Sequence, residues 1–380
     1  MNKIFFFYPH CYLKSTDDEI LVFDTFNRKY VYAKNYILTE DEKETFQKGF
    51  LYTYNAHNTF INQCIIKNLG YYTDYELVSP FLYNRKLNIV TSLSKEKQAL
   101  GYNHYSYTNL LLKEVTVLLN NHKENILTDD CVQLEYPEYN NEYIDIEFIL
   151  SQLSSFSHIE NIILSGEIDN SSLCLVLNYA RELNIHVTHR ILYNTIEDIN
   201  SIQLLEEYDN LSIELLVNSY TDVNQINSLK GDNIYIKAII RYVADIEKFR
   251  DLNNITYLPV LSTSHNNIEI LNQMILSERE ILQSSKSLND CLISDYINSY
   301  SYGHIIIDYD AKVYSMGRCI ASLHEKDLPS IINTWVNENT CTWYYSRKKK
   351  NTCKNCALQG LCPPISIYEE LGLYKCPCKI

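Results

Sequence analysis

The sequence predicts an α/β protein in three parts: a small α+β unit over residues 1–95, a partial (β/α)6 barrel over 108–298, and a cysteine-rich tail over 299–380. Three observations predict it. Six short runs rich in Ile, Val and Leu recur after residue 108, spaced by helix candidates, which is the pattern of a buried parallel sheet. The first 95 residues instead show a hairpin and two helical stretches. Finally, seven of the twelve cysteines lie between Cys319 and Cys378.

In the first part, Ile4–Tyr8 and Glu19–Asp24 read as strands, with Tyr30-Val31-Tyr32 as the return arm of a hairpin turned at Asn27-Arg28-Lys29. Thr39 followed by Glu40-Asp41-Glu42 reads as a capped helix start. A second helix covers 58–69 and stops at Gly70, and Tyr75–Tyr83 and Leu87–Thr91 lead towards the barrel. The six barrel runs are Glu114–Leu119, Ile159–Leu164, Ile185–Thr188, Leu211–Val217, Ile234–Ile240 and Ile255–Leu261. Helices are expected at Ile144–Ser155, Ser171–Leu183, Ser201–Asp209, Val243–Asp251 and Ile268–Leu276. A loosely helical zone around Lys286–Tyr296 then leads to a hairpin, Gly303–Asp310 and Lys312–Tyr314, turned at Asp310-Ala311. Gly317-Arg318-Cys319 opens the tail, and Leu328–Trp335 reads as a helix with Pro329 in its first turn.

The formal net charge of −14 excludes nonspecific binding to nucleic acid or anionic membrane, because the long-range field repels both. The basic run Arg347–Lys350 reads as a solvated loop beside the cysteines. Ile4–Tyr8 is too short for a secretory signal and is stopped by Pro9-His10, and no apolar run is long enough to span a bilayer. A cytoplasmic location follows, and in a reducing compartment clustered cysteines favour metal over disulfide.

Cys353-Lys-Asn-Cys356, Cys362-Pro363-Pro364 and Cys376-Pro377-Cys378 carry the chemistry. A Cys-x-x-Cys pair sets two sulfurs on one turn. With Cys362 and Cys376 it makes four thiolates, enough for tetrahedral zinc or a [4Fe-4S] cube. Cys378, Cys341 and Cys319 are alternate ligands. A zinc site of four thiolates would be structural, because it leaves no open position. Cys64, Cys131, Cys174 and Cys291 read as core thiols, and His10, His186 and His189 as structural histidines.

The Cys353, Cys356, Cys362 spacing resembles the Cys-x2-Cys-x5-Cys run of radical S-adenosylmethionine proteins with a SPASM-type tail, which mature ribosomally made peptides. The resemblance implies that these three cysteines and Cys376 hold one auxiliary [4Fe-4S] cluster. Ile162-Ile163-Leu164-Ser165-Gly166-Glu167 is similar to that family's second-strand Gly-Gly-Glu-Pro motif, with Ser165 for the first Gly and Ile168 for Pro. Gly166 and Glu167 are then relics of a cofactor site. The family follows its first strand with Cys-x3-Cys-x2-Cys, whose thiolates hold the catalytic cluster. Here Val117-Leu118-Leu119 runs into Asn120-Asn121-His122-Lys123-Glu124-Asn125, with no cysteine before Cys131. The departure argues against S-adenosylmethionine as a cofactor and against radical catalysis.

The chain thus resembles the pseudo-radical-SAM proteins of Bacteroidetes peptide-maturation systems. Tyr8-Pro9, Ile20–Asp24 and Lys29–Tyr32 stand where the winged-helix-like leader-peptide recognition element of such pathways has its strands. The resemblance implies a non-catalytic partner that binds a precursor leader, a true radical SAM maturase, or both. Two alternatives remain beside it: an iron–sulfur enzyme or redox protein using the tail cluster, and a zinc-stabilised scaffold.

Overall fold

The N-terminal residues fold as two three-stranded antiparallel sheets with two helices, in a computed structural model that describes residues 3–52, 58–74, 110–120, 131–138, 144–193, 208–218, 233–250, 255–261, 268–374 and 376. β1 (Lys3–Phe7) is followed by β2 (Cys11–Ser15), β3 (Glu19–Asp24) and β4 (Tyr30–Lys34). α1 (Glu40–Lys48), β5 (Phe50–Tyr52), α2 (Asn58–Ile66) and β6 (Gly70–Asp74) complete the unit. The sheets order as β5-β1-β6 and β2-β3-β4. Phe5 and Phe7 of β1 face the core this unit forms with Phe46, Leu51 and Ile61.

Thr39 caps α1 as expected, in a reciprocal box: its hydroxyl accepts from the Glu42 amide at 3.3 Å and its own amide donates to Glu42 Oε2 at 2.8 Å. Two expectations change. β2 is a strand the sequence reading left out, and it pairs with β3 from Cys11–Asp24 to Ser15–Ile20. The second helix ends at Ile66, four residues before Gly70: Asn68 takes the left-handed turn (φ 57°), and Gly70 opens β6. The Tyr75–Tyr83 and Leu87–Thr91 segments, and the 201–209 helix but for its end, lie outside the described residues.

The architecture is α/β. Six parallel strands follow in sequence order: β7 (Glu114–Leu118), β8 (Asn161–Ser165), β9 (His186–Leu192), β10 (Leu211–Val217), β11 (Ile234–Ile240) and β12 (Ile255–Pro259). Between and after them lie α3 (Cys131–Leu134), α4 (Ile146–Leu153), α5 (Asn170–Leu183), α6 (Val243–Lys248), α7 (Ile268–Met274), α8 (Glu278–Leu282) and α9 (Leu288–Ser294). α5 shows why these residues make a helix. Asp169 caps it, Leu173, Val176, Leu177 and Ala180 fall on one buried stripe, and Asn184 (φ 57°) ends it.

The 303–314 hairpin joins the same sheet. β13 (His304–Ile307) runs parallel to β7, and β14 (Lys312–Ser315) and β15 (Arg318–Ser322) extend the sheet antiparallel, giving nine strands. The sheet therefore crosses position 299, where the sequence reading begins a separate tail. β15 was unforeseen; it carries the exposed Cys319 at the sheet edge. α10 (Leu328–Trp335) has Pro329 in its first turn, with the Asp327 carboxylate accepting from the Ser330 amide at 2.7 Å. A 3-10 turn (Thr342–Tyr344) and α11 (Ile367–Glu370) complete the order.

One sheet face is apolar and covered. Val115, Val117, Ile162, Leu164 and Val187 pack beneath α4 and α5, and Trp335 of α10 closes the same core. Among the described residues no helix is long and apolar enough to cross a membrane. Leu177→Ala, at a fully buried position, should lower unfolding free energy by about 2–5 kcal/mol, whereas Leu175→Ala on the exposed side of α5 should change it by less than about 0.5 kcal/mol, as read from urea denaturation.

Candidate functional site

The other face of the sheet is not the apolar surface that the six runs predict. Successive residues of a strand alternate faces, so Val187 goes to the core while His186, Thr188 and Arg190 go to the opposite side. There Asn161 Nδ2 donates to Glu114 Oε2 at 3.0 Å, Thr188 Oγ1 donates to Asn161 Oδ1 at 3.2 Å, and His186 Nε2 lies 2.8 Å from Ser212 Oγ. One strand layer higher, Arg190 Nε donates to Glu214 Oε2 at 2.8 Å, and Lys237 pairs with the other oxygen of Glu214. Thr116 Oγ1 lies 2.9 Å from His304 Nε2, and His304 Nδ1 is 3.8 Å from Glu135.

Burial opposes the charge on Arg190, and Glu214 and Glu135 more than offset it, so the guanidinium is held charged above its ordinary range. Burial likewise works to raise Glu214, but Arg190 and Lys237 overcome it and hold the carboxyl below the usual carboxylate range. A signal for this face was present in the sequence: Glu214 and Lys237 each interrupt an apolar run, and Arg190 follows two residues after the end of a third. It was outweighed by the run-length pattern.

The C-terminal ends of the strands, where such sheets usually place ligands, are occupied by the chain itself. Residues 131–137 fold over them. Cys131, Leu134 and Tyr136 pack with Leu192, Leu216, Ile239 and Val260. Polar contacts lock the segment in place. Arg190 Nη1 donates to Leu134 O at 3.1 Å, Ser165 Oγ to Glu135 O at 2.7 Å, and the Leu192 amide to Tyr136 Oη at 3.3 Å. Gln133 closes the far side, donating to Leu261 O at 2.6 Å and accepting from its amide at 2.9 Å.

Gly166 and Glu167 lie beside this segment. Gly166 has φ +114°, and a Cβ there would stand 2.7 Å from Asn120 O and 2.8 Å from Pro137 Cγ, so only glycine fits. Its amide donates to Arg190 O at 3.0 Å, and the Glu167 amide donates to Asn120 O at 2.9 Å. His189 donates through Nε2 to Gly166 O at 3.0 Å; burial pushes its pKa down to about 4, keeping it neutral. Glu167 Oε1 and Asn120 Oδ1 are buried without a hydrogen-bond partner, next to a cavity of about 260 Å³ that Ile144, Ile146, Ile168, Asp169 and Ser172 also line.

In the tail, Cys353, Cys356, Cys362 and Cys376 are all buried. The hydrogen bond between Cys353 and Cys376, followed by burial, pushes the Cys353 thiol up. Cys356 and Cys362 share one apolar cluster with Leu358 and Leu361. Arg347 organises these loops: it donates to the carbonyls of Pro363 and Pro364, to both oxygens of Glu369, and at 3.7 Å to Cys353 Sγ. Glu369, its side chain fully buried, also takes Lys350 Nζ at 2.7 Å. The solvated loop expected at Arg347–Lys350 holds for Lys348 and Lys349, which are exposed, and is corrected at Arg347. Arg347 is 3% exposed, because Glu369 and two carbonyls supply acceptors that water would otherwise provide.

Cys341 lies elsewhere, in the main core beside Trp335 and Trp343, where burial pushes its thiol up to about 12. Cys378 lies outside the described residues. Cys64, Cys131 and Cys291 are buried as expected, but Cys174 is exposed on α5, on the side away from the Leu173–Leu177 stripe. Among the described residues no three His, Cys, Asp or Glu side chains already stand close enough to hold a metal ion. The donor chemistry of the tail nonetheless fits a thiophilic one: four buried thiols on connected loops, with a guanidinium against one sulfur to balance thiolate charge.

No family model matches the chain, and no curated protein sequence does. Among solved structures the chain is similar to SuiB of Streptococcus suis bound to the precursor peptide SuiA, at 12% identity, over 99% of this chain and 98% of that one, with a TM-score of 0.44. It is similar to SuiB bound to S-adenosylmethionine at 12% identity, over 98% and 97%, with a TM-score of 0.45. For anSMEcpe with bound AdoMet and the Cp18Cys peptide the identity is 11%, over 66% of this chain and 88% of that one, with a TM-score of 0.41.

Glu214→Gln leaves Arg190 without its closest counter-charge and should lower stability at neutral pH by about 3–5 kcal/mol. The pH profile gives a second readout. A carboxyl held low stabilises the fold above its unfolded pKa of roughly 4.3, and that contribution is lost as pH falls through the lower folded value. Urea midpoints measured from pH 7 downward should therefore fall less steeply below about pH 4.3 in Glu214→Gln than in the parent.

Proposed function

We propose that this chain is a non-catalytic partner in the maturation of a ribosomally synthesised peptide. It binds a precursor leader, a radical SAM maturase, or both, and carries one structural metal–thiolate site, [4Fe-4S] or zinc, on Cys353, Cys356, Cys362 and Cys376. One observation carries the non-catalytic part of this reading: residues 131–137 occupy the C-terminal ends of the parallel strands and are bonded there from both sides. The stretch after β7, where the radical SAM motif would supply three cysteines, supplies none before Cys131, and Cys131 is buried in this filling. A cofactor entering from that end would have to displace Tyr136 and Leu134 from the strand ends.

The peptide-binding part is supported by the N-terminal sheets. Among the described residues β6 pairs on one side only, with β1, and Tyr71 and Tyr72 on it are 47% and 40% exposed. A strand at the margin of a sheet that presents aromatic side chains can take an extended peptide as an added strand. The tail thiols then serve to hold irregular loops folded, because metal binding supplies order that chain of this kind lacks.

Protein purified anaerobically should contain iron or zinc, retain it through gel filtration, and release no 5′-deoxyadenosine from S-adenosylmethionine under reduction. It should capture a leader peptide or a maturase encoded beside it. Release of 5′-deoxyadenosine would overturn the non-catalytic reading, and capture of neither protein would overturn the partner role.

A further inference from the structure

The loop between Cys356 and Cys362 is a seat for the N-terminal unit. All five residues between the two cysteines are buried, and part of what buries them is the β2-β3-β4 sheet. The Ala357 amide donates to Glu19 Oε2 of β3 at 2.8 Å. Leu21 and Phe23 of β3 pack into the cluster that holds Leu358, Leu361 and both cysteines. Tyr12 of β2 presses so closely on Gly360 that a Cβ there would stand 2.5 Å from its hydroxyl oxygen. Lys286 Nζ, from the link between α8 and α9, donates to Gly360 O at 3.1 Å and to Cys362 O at 2.6 Å. Around this seat two ion pairs tie the unit to the α8–α9 region: Lys14 to Asp295 at 2.9 Å and Lys34 to Glu278 at 2.6 Å.

A ligand set that includes Cys356 and Cys362 would therefore fix both ends of the surface on which the N-terminal unit rests. We propose that occupancy of the tail site controls the docking of that unit: a metal on these thiols holds the seat in shape, and its loss releases the β2-β3-β4 sheet from the rest of the chain. This rests on the reading of the tail as a metal site. The loop is built of turns, with the Leu361 and Cys362 amides donating to Leu358 O and Gln359 Nε2 to the carbonyls of Cys353 and Lys354, and its two ends and two neighbours add to that small internal set. Two events that order the same segment favour each other, and the coupling is reciprocal. The docked unit must then also help to retain the metal.

The full-length protein can report docking directly. A zero-length carbodiimide cross-link between Lys34 and Glu278 forms only when the unit is seated, while one between Lys113 and Glu160, 3.5 Å apart at the base of β7 and β8, reports the integrity of the main sheet. Metal removal by chelation should cut the Lys34–Glu278 yield about tenfold and leave Lys113–Glu160 unchanged. The converse is tested with Gly360→Ala, which keeps every thiol but pushes against Tyr12: it should lose the Lys34–Glu278 cross-link and give up metal to a chelator about tenfold faster than the parent. An unchanged Lys34–Glu278 yield in stripped protein with Lys113–Glu160 intact overturns the coupling. So does Gly360→Ala protein that loses the cross-link yet holds its metal as the parent does. Protein that purifies with neither iron nor zinc overturns the reading of the tail itself, and the coupling with it.

Discussion

The guanidinium of Arg190 stands on the polar face of a parallel sheet, almost shut off from water, and the strand ends around it are arranged to neutralise it. An uncompensated charge in that position would cost several kcal/mol. Glu214 supplies one partner from the next strand, and Glu135 with the carbonyl of Leu134 supplies the other from the segment after β7. That second set has a consequence beyond charge. The guanidinium is a rigid fork, so it fixes where residues 134 and 135 must lie. With those placed, Tyr136 and Leu134 cover the ends of β9 to β12, and Pro137 comes up against Gly166. The filling of the strand ends follows from one buried charge.

Arg347 repeats the device in the tail. Its fork takes two successive carbonyls, Pro363 and Pro364, and the buried carboxylate of Glu369. Both prolines lack an amide hydrogen, so this stretch can make few backbone bonds of its own. A lysine could not substitute in either place, because a point charge cannot hold two carbonyls and a carboxylate in one fixed geometry. In each case an irregular segment is given a definite conformation by the donors of one arginine rather than by regular secondary structure.

What the sequence made legible was the part governed by periodicity. The six apolar runs, the Thr39 helix start and the helices expected over 171–183 and 328–335 all depend on local pattern, and local pattern is what a reader sees. The polar sheet face was half visible. His186, Thr188 and Arg190 alternate with Val187 and Ile191, but the neighbouring runs alternate less clearly, and the eye follows the Ile and Leu content. The burial of Arg347 was hidden altogether, because four consecutive basic residues look alike in sequence, while two of them, Arg347 and Lys350, meet Glu369 and only Arg347 is buried. The role of residues 131–137 was hidden for the same reason. Their partners are Arg190, Ser165 and Leu261, and no local signal links a short polar-flanked helix to three distant strands. The gathering of the tail cysteines was legible as density, and their contact with the N-terminal unit was not, since it depends on Glu19 and Tyr12, more than three hundred residues away.

These arrangements bear on what kind of work the molecule can do. Catalysis at the end of a parallel sheet needs polar groups that are positioned yet available, with room for a reacting molecule between them. On this sheet Arg190, Glu214 and Lys237 are positioned, but each already has its partner within the chain. Engaging any of them with a ligand means breaking a buried pair and leaving its partner exposed to the full desolvation penalty. A surface used for binding has no such conflict. It needs a rigid support behind it and open backbone or aromatic groups in front. In the N-terminal sheets β3 rests on the thiol loop, and Tyr71 and Tyr72 of β6 are partly exposed. On the parallel sheet, by contrast, Arg190, Glu214 and Lys237 are committed to partners within the chain.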